Sequence, residues 1–449
     1  MRAPRFGVAR QRCHWLRNSV LPRLTVQSHK LIKATPEQGW AVVRDFCAPW
    51  HPAIERMAAQ RSVRGGLVRR FEVSGEETIY RERLTYFSDS ERVMAYRHLD
   101  GIAGVDHYDA RVVIAPATEG ASVTMRADFF APAPRAHEIA EGTQVIFDTG
   151  TKAIAAQAST ASPWSLAETS PATVAIQIVE IDSLPRLALS TAGGSGDTLC
   201  LFLHGIGGNR TNWDQQLAAV AGHCPVAALD LRGYGDSSLG AAQSTVDDYC
   251  ADILRVMDVR GAKRLILCGL SYGAWIATTF AMRHPEKLAA LILSGGCTGM
   301  SEAGPDEREA FRLSREVPMN EGQTPADFAP SVVEVIAGPK ASAEDRATLH
   351  AAMAAIPTET YADALRCFTN PLETFDFAKL TMPVLLITGE HDRLAPPAEI
   401  KRVSERIWDA SPEPDVRFEV ISGAGHVCNI EKPGAYNSIL TEFLARVLR

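Results

Sequence analysis

The sequence predicts two domains, an α+β domain and then an α/β domain whose mostly parallel sheet carries helices on both faces and a helical lid. Three observations lead to this prediction. The 449 residues exceed what one ordinary hydrophobic core holds. The first third alternates apolar and charged residues in short runs, which is typical of antiparallel strands with one exposed face. The remainder alternates short apolar runs with helical segments, which is typical of a parallel sheet.

The amino-acid composition and charge of the chain argue against several classes of function. Apolar residues make up 46% of the chain and charged residues 22%, as in soluble globular proteins. No run approaches the roughly 18 apolar residues of a membrane span. The net charge of −7 argues against a nucleic-acid partner. The nine cysteines form no C-x-x-C pair and have no metal-ligand spacing with histidine. We therefore expect reduced thiols in a cytoplasmic protein, with no disulfide, no metal and no cofactor.

The chain opens on a basic segment, and we expect residues 1–29 to be a disordered leader or the product of an upstream start codon. The first 36 residues contain eight Arg and Lys but no Asp or Glu. The alternative is an organellar transit peptide, which has the same Arg-rich and acid-free composition.

Residues 30–158 are expected to form the first domain. A helix opens well at Thr35, which can cap it, with Pro36 in the first turn. A second helical pattern, over residues 137–158, closes the domain. Between the two helices lie strand-like runs of alternating residues, at 67–73, 78–86, 92–97, 108–114 and 121–129.

This arrangement resembles the START or polyketide-cyclase-like helix-grip family. The resemblance rests on Ala-Pro-Trp-His-Pro at 48–52, the strand from Gly66 through Arg70 and Phe71, Tyr-Arg-Glu-Arg-Leu at 80–84, and the closing helix. It implies a cavity between sheet and helix for a hydrophobic small molecule, or a cyclase. His51, Asp106 and His107 could line such a cavity and do acid–base work; the alternative is that they are solvated or capping residues.

A linker and a second domain follow. Residues 159–173 are rich in Ser, Thr, Ala and Pro, lack periodicity and predict the linker. Residues 174–449 form the second domain, which is organised around Ser271. A buried strand at 265–270 ends in Gly-x-Ser-x-Gly and continues directly into a helix. Strand, sharp turn and helix together predict a nucleophile elbow at Ser271.

A glycine-rich loop follows the buried strand at 198–203. Such a loop can turn an amide toward the serine, so we expect the N–H groups of Ile206 and Tyr272 to form an oxyanion hole. We expect the substrate to contact residues of this loop and of the turn after it, with His204 bracing the loop rather than acting as the base. These residues are His204, Gly205, Gly207 and Trp213.

Two later strands supply the other catalytic candidates. Asp392 lies at the end of the strand from 383, where catalytic groups gather in open α/β sheets. His426 lies on a glycine-rich loop after the last strand. We therefore expect Asp392 to orient His426, with Glu390 as the alternative acid. Between residues 300 and 379 helix-like segments replace the strands and predict a lid. Its arginines, Arg312, Arg315 and Arg366, could serve an anionic substrate, or they could lie on a solvated helix face.

The order serine, aspartate, histidine resembles the α/β-hydrolase superfamily. Within it, the segments 204–213 and 229–237 resemble 3-oxoadipate enol-lactonases and carbon–carbon bond hydrolases of aromatic degradation. The residues predict a serine hydrolase that works through an acyl-enzyme, and the resemblance implies a small carboxylic ester or lactone as its substrate. The alternatives are a carbon–carbon bond hydrolase, a non-hydrolysing receptor with this fold, or a protein whose first domain carries the main activity as a cyclase or ligand carrier.

Overall fold

A computed structural model describes residues 21–62, 66–168 and 173–448 of the protein. Residues 1–20 of the expected leader and residues 169–172 of the expected linker lie outside this range.

The first domain is an antiparallel sheet that packs against a long helix. Its elements are β1 (Arg23–Ile32), α1 (Pro36–Val43), β2 (Ile54–Arg61), β3 (Leu67–Val73), β4 (Ile79–Ser88), β5 (Val93–Asp100), β6 (Asp106–Ala117), β7 (Gly120–Phe130) and α2 (Ala133–Ala158). Thr35 caps α1 as expected, since its side chain accepts the Gln38 N–H. The inner face of α2 buries Ile139, Phe147 and Ile154 in the domain core.

The start of this domain differs from the sequence expectation. β1 begins at Arg23 and pairs antiparallel with β7 along its whole length. Residues 23–29, which the sequence analysis placed in a disordered leader, therefore belong to the sheet. Val26 and Ile32 are buried, so the strand has an apolar face in spite of its basic surroundings.

The second domain alternates strands and helices. Its elements are β8 (Gln177–Ile181), β9 (Leu187–Ala192), β10 (Thr198–Leu203), α3 (Asp214–Val220), β11 (Val226–Leu229), α4 (Val246–Arg260), β12 (Arg264–Leu270), α5 (Tyr272–Arg283), β13 (Leu288–Ser294), α6 (Pro305–Asn320), α7 (Pro325–Ile336), α8 (Ala343–Ala354), α9 (Thr358–Thr369), β14 (Val384–Gly389), α10 (Pro397–Ala410), β15 (Val416–Ile421), α11 (Cys428–Glu431) and α12 (Pro433–Leu448). Strands β10 to β15 are mutually parallel, whereas β9 pairs antiparallel with both of its neighbours, β11 and β8.

The order of the strands brings the candidate residues to one edge of the sheet. In space the strands run β8-β9-β11-β10-β12-β13-β14-β15, with β12 in the middle. The loops after β10, β12, β14 and β15, which hold the residues expected to act, all leave the carboxyl ends of parallel strands. Helices α6 to α9 lie between β13 and β14 in the chain, where the lid was expected. The predicted fold class is confirmed.

The two sheets are continuous. β15, the last strand of the second domain, pairs in parallel with β4 of the first through Val416 with Tyr86 and Arg417 with Phe87. Among residues 21–62, 66–168 and 173–448, no helix has the length and apolar character needed to cross a bilayer.

Candidate active site

Ser271 lies in a strained turn between β12 and α5. Its φ is +53°, a region that residues with a side chain rarely adopt. The turn leaves no room for other side chains: a Cβ at Gly269 would collide with the Gly273 carbonyl, and a Cβ at Gly273 with the Leu203 carbonyl. The Ser271 N–H donates to the Ser294 carbonyl at 2.8 Å, which ties the turn to β13. The close packing at Gly269 and Gly273 and the hydrogen bond to β13 therefore hold the strained backbone of Ser271 in place.

Asp392 and His426 form a buried pair, with 4% and 5% of their surfaces exposed. His426 Nδ1 lies 2.9 Å from Asp392 Oδ2. A carboxylate can only accept, so Nδ1 carries the proton. The other oxygen, Oδ1, accepts the backbone N–H groups of Leu394 at 2.9 Å and Ala395 at 2.8 Å. These bonds fix the carboxylate, and the carboxylate fixes the imidazole ring.

The second ring nitrogen of His426, Nε2, is buried and has no hydrogen-bond partner among the described residues. With the proton on Nδ1, Nε2 is an acceptor that can take a proton. Two glycines directly after β13 lie beside these residues, Gly295 next to the His426 ring and Gly296 next to Ser271. A Cβ at Gly295 would be 3.1 Å from His426 Nδ1, and one at Gly296 would be 3.2 Å from the Ser271 carbonyl oxygen. The structure thus brings Ser271, Asp392 and His426 to one place.

The loop after β10 runs beside Ser271. A Cβ at Gly205 would lie 3.5 Å from the Cβ of Ser271. The Tyr234 hydroxyl donates to the Ile206 carbonyl at 3.0 Å, which fixes that residue in the loop. Tyr272 is the first residue of α5, so its N–H has no acceptor within the helix. The two amides expected to bind an oxyanion therefore lie on segments that flank Ser271.

A model of the alpha/beta hydrolase family matches residues 200–439, which is just over half of the chain. The chain belongs to the alpha/beta hydrolase family. A second family model, described as polyketide cyclase/dehydrase and lipid transport, matches residues 23–159 of this hydrolase.

Similar proteins include enzymes that act on esters and lactones. The chain is 24% identical to 3-oxoadipate enol-lactonase 2 of Acinetobacter baylyi over 58% of this chain and 93% of that protein. It is 26% identical to a putative carbamate hydrolase of Cronobacter turicensis over 58% of this chain and 96% of that one. Among solved structures, a thermophilic esterase of Thermogutta terrifontis aligns with a TM-score of 0.53 and 25% identity, over 62% of this chain and 100% of the esterase. The protein is thus an alpha/beta hydrolase with esterase- and lactonase-like relatives.

Two of the residues expected to contact substrate in this alpha/beta hydrolase are buried in its core. Trp213 is fully buried, and its ring stacks on Phe202 with 4.8 Å between centroids, so it has no surface to offer a substrate. His204 is also fully buried. Its Nε2 accepts the Leu231 N–H at 3.1 Å, and its Nδ1 lies 2.8 Å from the Gly205 carbonyl oxygen. Burial lowers the pKa of His204. His204 therefore braces the loop.

The remaining candidates of the loop lie at the site. Gly205 flanks Ser271, and a Cβ at Gly207 would be 3.1 Å from Met353 Sδ in lid helix α8. The lid therefore approaches the loop closely at Gly207. Glu390, the alternative acid, accepts from the Ser422 hydroxyl and the Gly423 N–H, both at 2.8 Å, and so braces the loop that carries His426.

The lid arginines lie in different surroundings. Arg312 and Arg366 both pair with Glu316 and line an outer cleft of about 460 Å³ that neither Ser271 nor His426 lines. Arg315 instead lies over the Phe311 ring, with its guanidinium carbon 3.7 Å from the centroid.

The first-domain histidine expected in a cavity has a structural role. His51 is buried, with Nε2 3.0 Å from the Ile146 carbonyl oxygen and Nδ1 accepting the Ala53 N–H at 3.2 Å. Burial lowers its pKa. The side chains of Asp106 and His107 are more than half exposed, so these two residues are solvated.

Several residues of the site were not singled out from the sequence. Gly295 and Gly296 were missed, although a glycine pair directly after a buried strand is a signal that could have identified them. The Thr388 hydroxyl, four positions before Asp392, lies 3.4 Å from Asp392 Oδ2, but a threonine at the end of a strand is too common to signal that contact. Within the described ranges, no group of three or more His, Cys, Asp or Glu side chains could hold a metal ion.

Proposed function

We propose that Ser271, His426 and Asp392 form a catalytic triad that hydrolyses a small carboxylic ester or lactone through an acyl-enzyme. The observation that carries the proposal is the buried His426 ring, which is bonded to Asp392 at 2.9 Å and keeps its Nε2 without a partner among the described residues. A base needs this arrangement, since one nitrogen is oriented while the other stays available for the serine proton.

In the proposed first half-reaction, His426 Nε2 takes the hydroxyl proton of Ser271 as the oxygen attacks the substrate carbonyl. Asp392 holds the tautomer and stabilises the imidazolium. The imidazolium then gives its proton to the leaving oxygen as the ester or lactone bond breaks. Water, deprotonated by the same nitrogen, hydrolyses the acyl-enzyme and restores Ser271.

The amides of Ile206 and Tyr272 would hold the oxyanion of each tetrahedral intermediate. Removing one such donor typically lowers the rate by about a hundredfold to a thousandfold. Backbone donors need no reorganisation during the reaction because the loop is already fixed, here by the Tyr234 bond to Ile206.

The relatives support the proposed substrate class. One is named an enol-lactonase and another, of known structure, an esterase. For this chain we propose an oxygen ester or lactone rather than a carbon–carbon bond as the scissile link.

Replacing Ser271 tests the triad. We expect Ser271→Ala to lower turnover of p-nitrophenyl esters and small lactones by at least about a thousandfold, since the nucleophile is lost. A fluorophosphonate should form a covalent adduct at Ser271 that increases the mass of the unmodified chain. The mass of the Ser271→Ala variant should not change. Ser314→Ala, in an exposed part of the lid, is the control and should retain full turnover. Undiminished turnover by Ser271→Ala would refute the proposal, and preference for a carbon–carbon substrate over every ester and lactone would refute the substrate class.

We further propose that the first domain binds an apolar small molecule between its sheet and α2. The match of residues 23–159 to a family described by polyketide cyclases and lipid transport supports this role. Thr143, 7% exposed, lies on the inner face of α2 with its hydroxyl 3.5 Å from the Tyr108 hydroxyl, so the interior combines apolar walls with a polar pair.

Two tryptophan substitutions on one helix test this site in the full-length Ser271→Ala chain. Thr143→Trp fills the interior and should raise the Kd for a fluorescent fatty acid at least about tenfold, because its volume displaces the ligand. Val145, 63% exposed on the outer side of the same helix, provides the control, and Val145→Trp should leave the Kd unchanged. Equal binding by both variants would place the probe elsewhere and contradict the proposal.

We also propose that the protein works in the cytoplasm. In the described residues all the cysteines, eight of them, are free thiols, which suits a reducing compartment.

A further inference from the structure

The loop that carries His426 rests directly on the end of lid helix α7. The His426 N–H donates to the carbonyl of Ile336, the last residue of α7, at 2.7 Å. The contact is backbone to backbone: a Cβ at Gly425 would collide with the Ile336 carbonyl oxygen and the Gly338 nitrogen. The lid and the loop that carries the imidazole therefore meet backbone to backbone.

Glu431, on the short helix α11, joins the two segments. Its Oε2 accepts the Gly338 N–H at 2.8 Å and the Gly425 N–H at 3.0 Å, while Oε1 lies 3.1 Å from the same Gly425 nitrogen. Only 4% of its surface is exposed. Since a buried carboxylate is unfavourable without such donors, these bonds stabilise both the side chain and the junction.

No other carboxylate on this loop has that geometry. Glu390 bonds the same loop at Ser422 and Gly423 rather than at Gly425, and is itself exposed. Among the described contacts, only Glu431 bonds the lid and the residue before His426 with one oxygen.

We propose that Glu431 is a positioning residue that sets the place of the His426 ring by fastening its loop to the end of α7. The role rests on the proposed function, because it matters to turnover only if His426 is the base. Glu431 touches neither substrate nor the reacting atoms. The junction of α7 with the His426 loop is on this view part of the catalytic geometry.

The order of the kcat values of three substitutions at Glu431 distinguishes this positioning role from an effect of its negative charge. Glu431→Ala removes both acceptors, and we expect kcat to fall about a hundredfold, as a displacement near 1 Å can cause, with KM changed less than about threefold. Glu431→Gln keeps one oxygen that can accept both amides, so kcat should stay within about fivefold. Glu431→Asp keeps the charge but is one methylene shorter, so kcat should fall more than with Gln.

The measurements are made on the folded full-length chain below its unfolding temperature, with circular dichroism as the check of folding. Glu334→Ala is the control, because Glu334 lies on α7 and its ion pair with Arg346, at 3.0 Å, is exposed. Its kcat should equal that of the unmodified chain.

The results that would contradict the positioning role differ from those that would contradict the proposed function. Full kcat in Glu431→Ala, or Asp retaining more activity than Gln, would overturn the positioning role. An equal rise of KM in place of a fall of kcat would also overturn it. If Ser271→Ala were as active as the unmodified chain, the proposed function itself would fail; if Ser271→Ala is inactive while Glu431→Ala is fully active, only the positioning role fails.

Discussion

At the scale of single residues, the site depends on glycines as much as on its polar groups. Gly295 has a φ of +55°, and a Cβ there would be 3.1 Å from both Nδ1 and Cε1 of His426. That nitrogen makes the bond to Asp392. Any side chain at position 295 would therefore press on the ring at the atom that orients it.

We expect Gly295→Ala to lower kcat at least about tenfold, because the methyl group displaces the imidazole from Asp392. The substitution should also cost about 1 kcal/mol of folding free energy from the left-handed backbone. Gly261→Ala is a matched control: Gly261 has a φ of +65° and nothing lies within 4 Å of an added Cβ. The control should lose similar stability and keep its kcat. Steady-state kinetics and urea unfolding of both variants check this, and equal kcat values would contradict it.

The side chains expected to do the chemistry could be named from the sequence, but the groups that hold them could not. Ser271, Asp392 and His426 each follow a recognisable apolar strand, and parallel strands end at the same edge of a sheet. Trp213 looked like a loop residue near the substrate, yet its indole is core. Glu431 lies five positions after His426 on a separate helix, and no spacing rule connects it to Gly338 in the lid.

At the scale of elements, periodicity identified the strands that have one apolar face. β6 and β7 alternate clearly, and all of β3 to β7 were expected within a few residues of their bounds. β2 was missed because its residues are mostly exposed and show no alternation. β1 was missed for another reason: it does alternate, but its cations were attributed to a basic leader. The basic composition of the segment therefore hid the strand pattern of β1, which is stabilised by pairing with β7.

The burial of two charged residues on β15 depends on contact with the first domain. Arg417 and Glu419 alternate with apolar residues, which from the sequence alone is the pattern of an edge strand with a wet face. In the structure both are buried, with 4% and 2% of their surfaces exposed, because the first domain covers that edge through β4. An uncovered edge strand is open to pairing with other chains, so the first domain also protects the hydrolase sheet.

At the scale of the whole molecule, a charged cluster joins the domains. Arg417 donates to Glu419 at 2.9 Å, to Asp89 of the first domain at 3.1 Å and to Glu442 at 3.0 Å. Arg44 of the first domain bonds Asp89 and Glu442 from the other side, both at 2.6 Å. Glu419 also accepts the Asp89 N–H at 3.1 Å. Because these buried ion pairs and hydrogen bonds cross the boundary between the domains, we expect the two to fold as one unit.

β15, which carries Glu419, leads directly into the loop that carries His426. The first domain therefore pairs with the strand that leads into the loop of His426, the proposed base. The pairing of β4 with β15 spans only two residue pairs, and such a short contact between distant parts of the chain has no signature in either segment.

The charged cluster makes stability depend on pH in a predictable direction. Burial raises the pKa of Glu419 from 4.5 to about 7. The unfolded chain loses this proton near the lower value and the folded chain near the higher one, so between them the folded state binds the extra proton. The contribution to stability is then fully present at acidic pH and is lost as the pH rises to about 7.

Glu419→Gln, which is neutral at every pH, isolates this contribution. The free energy of unfolding of the unmodified chain should fall relative to that of the variant as the pH rises from about 4.5 to about 7, and the difference should then stay constant. Urea unfolding of both full-length proteins at several pH values measures it. A difference independent of pH would contradict the prediction, and a difference of opposite sign would mean that Arg417 and the amides of Asp89 and Ser90 stabilise the carboxylate more than burial destabilises it.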